Sequence, residues 1–318
     1  MSGDRTRQSA AARREDAEVL ARLTCVRDLV RLACTRFSRA GLAHGHGTDN
    51  ALDEAIWLVC ASLALPIERY AELADARLEP REVRRVLALV RARCETRAPL
   101  AYLLGEAWLC GFRFRADSRA LVPRSPIVEA LLAGSLEPWL GAREPATILD
   151  LCTGGGSIAI VAATRFPDAR VVATDLSVDA LALAAENIAM HDLGERIELR
   201  QGDLLDALGD ERFELILCNP PYVNEDSMRE LPPEYTAEPR IALAGGDDGM
   251  VLIERILQQV PANLAEGGLL VLEMGHEANA FEHRFPRLVH AWIEVAAGER
   301  QIAAIASAAL GQGATIRA

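Results

Sequence analysis

The first periodic signal along the chain is helical. Between residues 17 and 41 the apolar positions Leu20, Leu23, Val26, Val30, Ala33 and Phe37 recur at steps of three and four, and then a glycine ends the pattern. That spacing keeps one face of a helix apolar. Similar stretches run over about 49–63, from Pro66, and from Pro80, where Val83, Val86, Leu87 and Val90 carry the stripe. Proline suits a first helical turn, whose N–H has no partner within the helix. The pattern predicts a flexible polar tail over 1–16 and a helical domain over 17–104. Over 105–124 the texture changes to Trp108, Phe112, Phe114, Leu121 and Val122, with Gly111 and Asp117-Ser118 between them, which predicts a β-hairpin linker.

Ser125-Pro126 opens another helix, and beyond Pro145 short apolar strands alternate with helical stretches. The strands are expected at 147–152, 170–175, 197–201, 213–218, 268–274, 291–295 and 302–305. Such alternation implies an α/β domain over 125–318, with a mostly parallel sheet covered by helices on both faces. Residues 223–249 show little periodicity and predict a long loop. Connections of that length usually bind a partner or cap a cleft, and Glu234 and Glu238 are its candidate contacts to a protein substrate.

Composition narrows the chemistry. With 318 residues and half of them hydrophobic, the chain has the balance of a globular protein of about two domains. All 34 basic residues are arginine, so Schiff-base, pyridoxal-phosphate and P-loop chemistry, which need a lysine amine, are excluded. The net charge of -12 argues against stable nucleic-acid binding, because that affinity comes from cations neutralising phosphates; it favours a basic protein partner. The seven cysteines include no C-x-x-C pair, and His44-x-His46 has no further ligand nearby. Neither a disulfide framework nor a metal site has its required spacing. Reduced thiols, no apolar run near ~18 residues and no apolar core at the start predict a cytoplasmic protein with no membrane partner.

After the first strand of the α/β domain, Ile148-Leu149-Asp150-Leu151 runs into Cys152-Thr153-Gly154-Gly155-Gly156-Ser157 and then into a helical stretch. Glycines let the backbone approach a ligand and leave the helix N-terminal amides facing it. Asp175 closes the next strand, where a carboxylate can accept hydrogen bonds from both ribose hydroxyls. Gly154-x-Gly156-x-x-Ala159 also satisfies the dinucleotide fingerprint, so the loop implies a nucleoside ligand without naming it, and a nicotinamide-dependent oxidoreductase stays open here. Asp203 in Gln201-Gly202-Asp203-Leu204 serves equally as an adenine contact or a helix cap.

The fourth strand ends in Leu217-Cys218-Asn219-Pro220-Pro221-Tyr222. Two prolines fix φ and supply no N–H, which holds a stiff turn with carbonyls free to accept. The Asn219 side-chain carbonyl and the Pro220 carbonyl can take both hydrogens of a planar NH2 group, and the Tyr222 ring can pack on its face. Pro221 stiffens the same turn. An amide nitrogen is a poor nucleophile, so a site of this kind acts by orientation, which can supply ~7 to 11 kcal/mol of a barrier.

Together the glycine loop, Asp175, Asp203 and the Asn219–Tyr222 turn resemble class I S-adenosylmethionine-dependent methyltransferases, specifically the HemK-like protein glutamine N(5)-methyltransferases. The resemblance covers nearly the whole chain past the tail. Leu121-Val122-Pro123-Arg124-Ser125-Pro126-Ile127, Cys152, and Leu231-Pro232-Pro233-Glu234-Tyr235 with Glu238-Pro239 are similar to the branch that modifies the large-subunit ribosomal protein L-three. Gly155 departs from an expected serine.

The resemblance implies a Rossmann-like, seven-stranded fold and S-adenosyl-L-methionine as co-substrate, with no metal and no covalent enzyme intermediate. It implies that Asp150, Leu151, Cys152, Thr153, Gly154 and Gly156 wrap the methionine end of the donor. Asp175 would then hold the ribose, Asp203 and the Leu204 backbone the adenine, and Asn219 with Pro220 a glutamine amide of the ribosomal protein. The rivals are methylation of an exocyclic base amine or of a release-factor glutamine, and a non-catalytic assembly factor that keeps the fold.

Overall fold

The computed structural model describes residues 23–141, 144–296 and 298–310; the expected 1–16 tail lies outside them. The chain divides into two compact units. One runs up to Gly105 and includes Pro232–Ala237, and the other comprises Glu106–Leu231 and the chain from Glu238 onward.

In the first unit, α1 (Val26–Ala40), α2 (Ala51–Leu63), the short α3 (Tyr70–Leu73), α4 (Pro80–Thr96) and α5 (Leu100–Leu104) pack around Val30, Phe37, Leu58, Val86 and Val90. Within the stretch whose hydrophobic period predicts one helix, the described residues Leu23–Cys25 are not helical and the helix runs from Val26. Asp28 draws the N–H groups of Thr24 and Cys25 onto its carboxylate at 2.9 and 3.2 Å, ending the helix there. Asn50 caps α2 by accepting from the Leu52 and Asp53 amides, each at 3.0 Å.

A buried ionic cluster lies inside this unit. Arg93 donates from Nε to Glu54 at 2.6 Å, and His44 Nδ1 meets the other Glu54 oxygen at 2.7 Å. Glu234, from the 232–237 segment, sits 2.9 Å from Arg97 and 3.6 Å from Arg93, and accepts the Ala43 N–H at 3.1 Å.

In the second unit, β1 (Glu106–Leu109) and β2 (Phe112–Arg115) pair antiparallel across Cys110-Gly111, both at positive φ, the geometry of a tight hairpin turn. Helices α6 (Pro126–Leu132) and α7 (Glu137–Leu140) lead into β3 (Thr147–Leu151). Then follow α8 (Ser157–Arg165), β4 (Arg170–Asp175), α9 (Val178–Met190), β5 (Ile197–Gln201) and β6 (Phe213–Cys218). After the short α10 (Glu225–Glu230) come α11 (Val251–Asn263), β7 (Leu264–Glu273), α12 (Ala278–Arg284), β8 (Ala291–Val295), β9 (Gly298–Ala306) and α13 (Ser307–Leu310).

The strands form one seven-stranded sheet in the order β5-β4-β3-β6-β7-β9-β8, parallel except for β9, which runs against both neighbours. Its two-residue period fills two cores. Ile148, Leu215, Leu217 and Val271 face α6 and α8, whereas Leu149, Leu151, Ile216 and Leu270 face α11 and α12. The seven strands stand where the apolar runs predict, with β7 and β9 each starting four residues earlier. The chain reverses direction of growth at β3, whose neighbours are β4 and β6, and the carboxyl ends beside such a point are where open α/β sheets bind ligands.

Residues 223–249 are not the featureless loop their composition suggests. They hold α10 and 3-10 turns at Pro233–Ala237 and Arg240–Ala242.

Candidate functional site: a cleft at the carboxyl ends of the parallel strands

The second unit carries a cleft of about 1050 Å³, open to solvent, at the ends of β3, β4, β5 and β6. Its floor is the glycine loop. Leu151, Cys152, Thr153 and Gly154 all line it. Cys152 adopts φ 63° and Gly154 φ 55°, so the backbone is folded tightly through the left-handed region, a cost at Cys152 that persists only where the surroundings enforce it.

Asp150 stands beneath this loop rather than in the cleft. Fully buried, it accepts from Thr153 Oγ1 at 2.5 Å and from the Ala159 N–H at 3.0 Å in the first turn of α8. Burial pushes its carboxyl up to about 7, against those two hydrogen bonds. Gly156 also lies outside the cleft lining. It caps α8 at φ 83°, and a Cβ there would come within 3.2 Å of Ala184 on α9.

Asp175 and Asp203 do face the cleft. The Asp175 carboxylate accepts the Gly154 and Ser177 N–H groups, both at 2.8 Å, and so locks the glycine loop to the end of β4. Burial raises its carboxyl above the ordinary range despite those donors. Asp203 is half exposed and pairs with Arg255 at 2.8 Å, and Leu204 follows it at φ 55°.

On the opposite wall, Asn219 and Pro221 line the same cleft. Pro220 is buried and Tyr222 turns away from the cleft lining, although the Pro220 carbonyl carbon is bonded directly to Pro221. Tyr222 is held by three glycines. Cβ atoms at Gly245, Gly249 and Gly275 would come within 2.7, 2.3 and 2.7 Å of Tyr222 atoms. Its hydroxyl donates to Glu273 Oε1 at 3.2 Å.

A strap over Arg119–Ser125 closes the cleft, every residue of it contributing to the lining. Two buried acids pin it. Glu238 accepts the Val122 N–H at 3.0 Å and takes the Arg124 guanidinium across both oxygens at 2.6 and 2.8 Å. Glu273 accepts the Ser125 hydroxyl at 2.5 Å. Pro239, Ile241 and Ala242 add the remaining apolar cover.

The expectation that Glu234 and Glu238 touch a protein substrate is therefore overturned. Both are almost wholly buried and already paired. Of the 13 residues singled out from the sequence, nine line one cleft, and Asp150, Gly156, Pro220 and Tyr222 stand outside the lining. The strap and Glu273 were missed. The signal available for Glu273 was an acid closing an apolar run, Leu269-Leu270-Val271-Leu272-Glu273.

Comparison with known proteins fits this geometry. A family model described as "Methyltransferase small domain" matches residues 130–232. A ribosomal protein uL3 glutamine methyltransferase of Bordetella pertussis is 50% identical over 283 residues, covering 88% of this chain and 94% of that protein. Its namesake in Burkholderia pseudomallei is 47% identical over 285 residues, covering 87% and 92%.

The chain belongs to the uL3 glutamine methyltransferase family. Among solved structures, a methyltransferase from Pyrococcus furiosus is 18% identical with a TM-score of 0.44, covering 63% of this chain and 90% of that one.

In this member of the family the cleft has the two walls that a transfer between bound molecules requires. One is a backbone-rich loop locked by the Asp175 carboxylate. The other is a proline-stiffened turn from which Asn219 and Pro221 reach the lining.

Proposed function

We propose that this protein transfers a methyl group from S-adenosyl-L-methionine to the side-chain amide nitrogen, N(5), of a glutamine in ribosomal protein uL3. The observation that carries the reading is the presence of Gly154, Asp175, Asn219 and Pro221 in the lining of one cleft. The cleft suits the donor, since Asp175 offers a carboxylate beside a loop whose backbone bends through positive φ.

The donor, when bound, supplies an electrophilic methyl. Thr153 and Gly154 face its methionine end, Asp175 accepts from the ribose hydroxyls, and Asp203 with the Leu204 backbone meets the adenine. Asp150 acts through the loop it pins. On the acceptor side, the Asn219 side-chain carbonyl and the Pro220 carbonyl accept the two amide hydrogens, which fixes the plane of the carboxamide and turns its nitrogen lone pair toward the methyl. The strap and Pro239, Ile241 and Ala242 line the cleft beside that nitrogen. The proton released on methylation leaves to solvent.

The test is methyl transfer from labelled S-adenosylmethionine to purified uL3, with mass spectrometry of the product. A glutamine-bearing uL3 peptide heavier by one methylene is expected. Asn219→Ala should lower kcat by about a hundredfold, the scale of a misplaced acceptor, with the Kd for S-adenosylhomocysteine nearly unchanged. Label recovered in RNA or a release factor and absent from uL3 would overturn the reading.

A further inference from the structure

We propose that Glu273 is a positioning residue of this site: it ties Tyr222 of the proline turn to Ser125 of the strap, and thereby sets the spacing of the walls between which the acceptor carboxamide lies. The proposal rests on the functional reading above and adds to it a residue that never touches substrate.

The geometry begins in the sheet. β7 pairs with β6 up to Leu272 opposite Cys218, so Glu273 is carried to the level at which Asn219 leaves its own strand. It is buried, and each of its oxygens accepts a different hydroxyl, Oε1 from Tyr222 at 3.2 Å and Oε2 from Ser125 at 2.5 Å. Ser125 belongs to the cleft lining and also caps α6 by accepting the Ile127 N–H at 3.2 Å. Tyr222 follows Pro221, another lining residue. One carboxylate therefore spans the strap and the proline turn.

Stability does not explain an acid here. Burial disfavours the charge and pushes the Glu273 carboxyl up to about 7, with the Ser125 and Tyr222 hydroxyls and the Arg124 charge pulling the other way. An apolar residue would suit the surrounding core better, whereas a carboxylate is the small group with two acceptors and no donor that can hold two hydroxyls at once. Gly275 completes the arrangement. At φ 51° it leaves room for the Tyr222 ring, which a Cβ would meet at 2.7 Å. The groups facing Glu273 are Ser125 and Arg124 on the strap, Tyr222 on the turn and Cys218 on β6. Burial keeps the Cys218 thiol protonated well past neutrality, so it does not titrate in the same range.

The experiment compares wild type, Glu273→Gln, Tyr222→Phe and the double variant. Acceptor kcat/KM is measured at saturating donor across pH, S-adenosylhomocysteine Kd by calorimetry, and Tm for each. Glutamine keeps one acceptor and loses the other, so both single variants should lower acceptor kcat/KM about tenfold, within the range a displaced group produces. Donor Kd should stay within about twofold, and the double variant should be no worse than the worse single one. Wild-type acceptor kcat/KM should rise with pH through the neutral range as Glu273 ionises, and Glu273→Gln should flatten that limb.

Wild-type kinetics in Glu273→Gln, losses that multiply in the double variant, or an effect confined to donor Kd would overturn the proposal. If Glu273→Gln does not fold, Tyr222→Phe with Ser125→Ala supplies the same comparison from the other end of the bridge. Should the methyl be found on another acceptor, the functional reading fails, and the same variants measured on that acceptor still decide the role of Glu273.

Discussion

Two carboxyls at the carboxyl ends of β3 and β7, the strands on either side of β6, carry unusual titration. Burial pushes Asp150 and Glu273 up to about 7 each, from ordinary values of 3.8 and 4.5. A raised folded-state value means the folded chain holds its protons longer than the unfolded one, so the stability they contribute is complete below about pH 4 and is lost as pH rises through about 7. Urea midpoints should therefore fall between mildly acid and mildly alkaline solution, and Asp150→Asn should make that fall shallower. An unchanged slope would contradict the burial of this carboxyl. At this scale the sequence showed the residue types that line the cleft, Asp175 and Asn219 among them, because strand-end position and chemistry are local. It misled on Glu238, since an acid in a polar stretch reads as solvated. Its burial depends on Arg124, 114 positions away.

Among the elements, the strap is the part that periodicity could not reveal. Arg119–Ser125 has no regular backbone hydrogen-bond pattern of its own and is ordered by acids from Glu238 and from the end of β7. Glu238→Gln leaves the partly exposed Arg124 guanidinium with a weaker partner, which should cost about 1.5 to 3 kcal/mol and weaken S-adenosylhomocysteine binding. Chemical denaturation with calorimetry on the same variant checks both. Gly275→Ala should be nearly as damaging to acceptor turnover as loss of the Tyr222 hydroxyl, because the new methyl enters the ring at 2.7 Å and the backbone there sits at φ 51°; kcat with donor Kd unchanged is the expected pattern. The strands themselves were legible from their apolar runs, with the largest differences at the starts of β7 and β9, each four residues earlier than expected. The start of α1 was set by Asp28 closing on the Thr24 amide, a capping choice that an apolar period does not encode.

For the molecule as a whole, the order of elements announces an α/β sheet after a helical region, and the sheet order confirms it. Sequence order does not announce that the chain re-enters the first unit at Pro232–Ala237. Glu234 anchors that return among Arg93, Arg97 and the Ala43 amide. Glu234→Ala should destabilise the first unit by about 3 to 5 kcal/mol, the cost of stripping a partner from buried charge, and speed amide exchange over 234–237; protection at the wild-type level would refute the anchoring. The same return has a genetic corollary. No single cleavage of the gene separates the two units, for a product starting after Gly105 still carries a six-residue ribbon whose acid has been deprived of both its arginines, and it should emerge with that ribbon open to proteases.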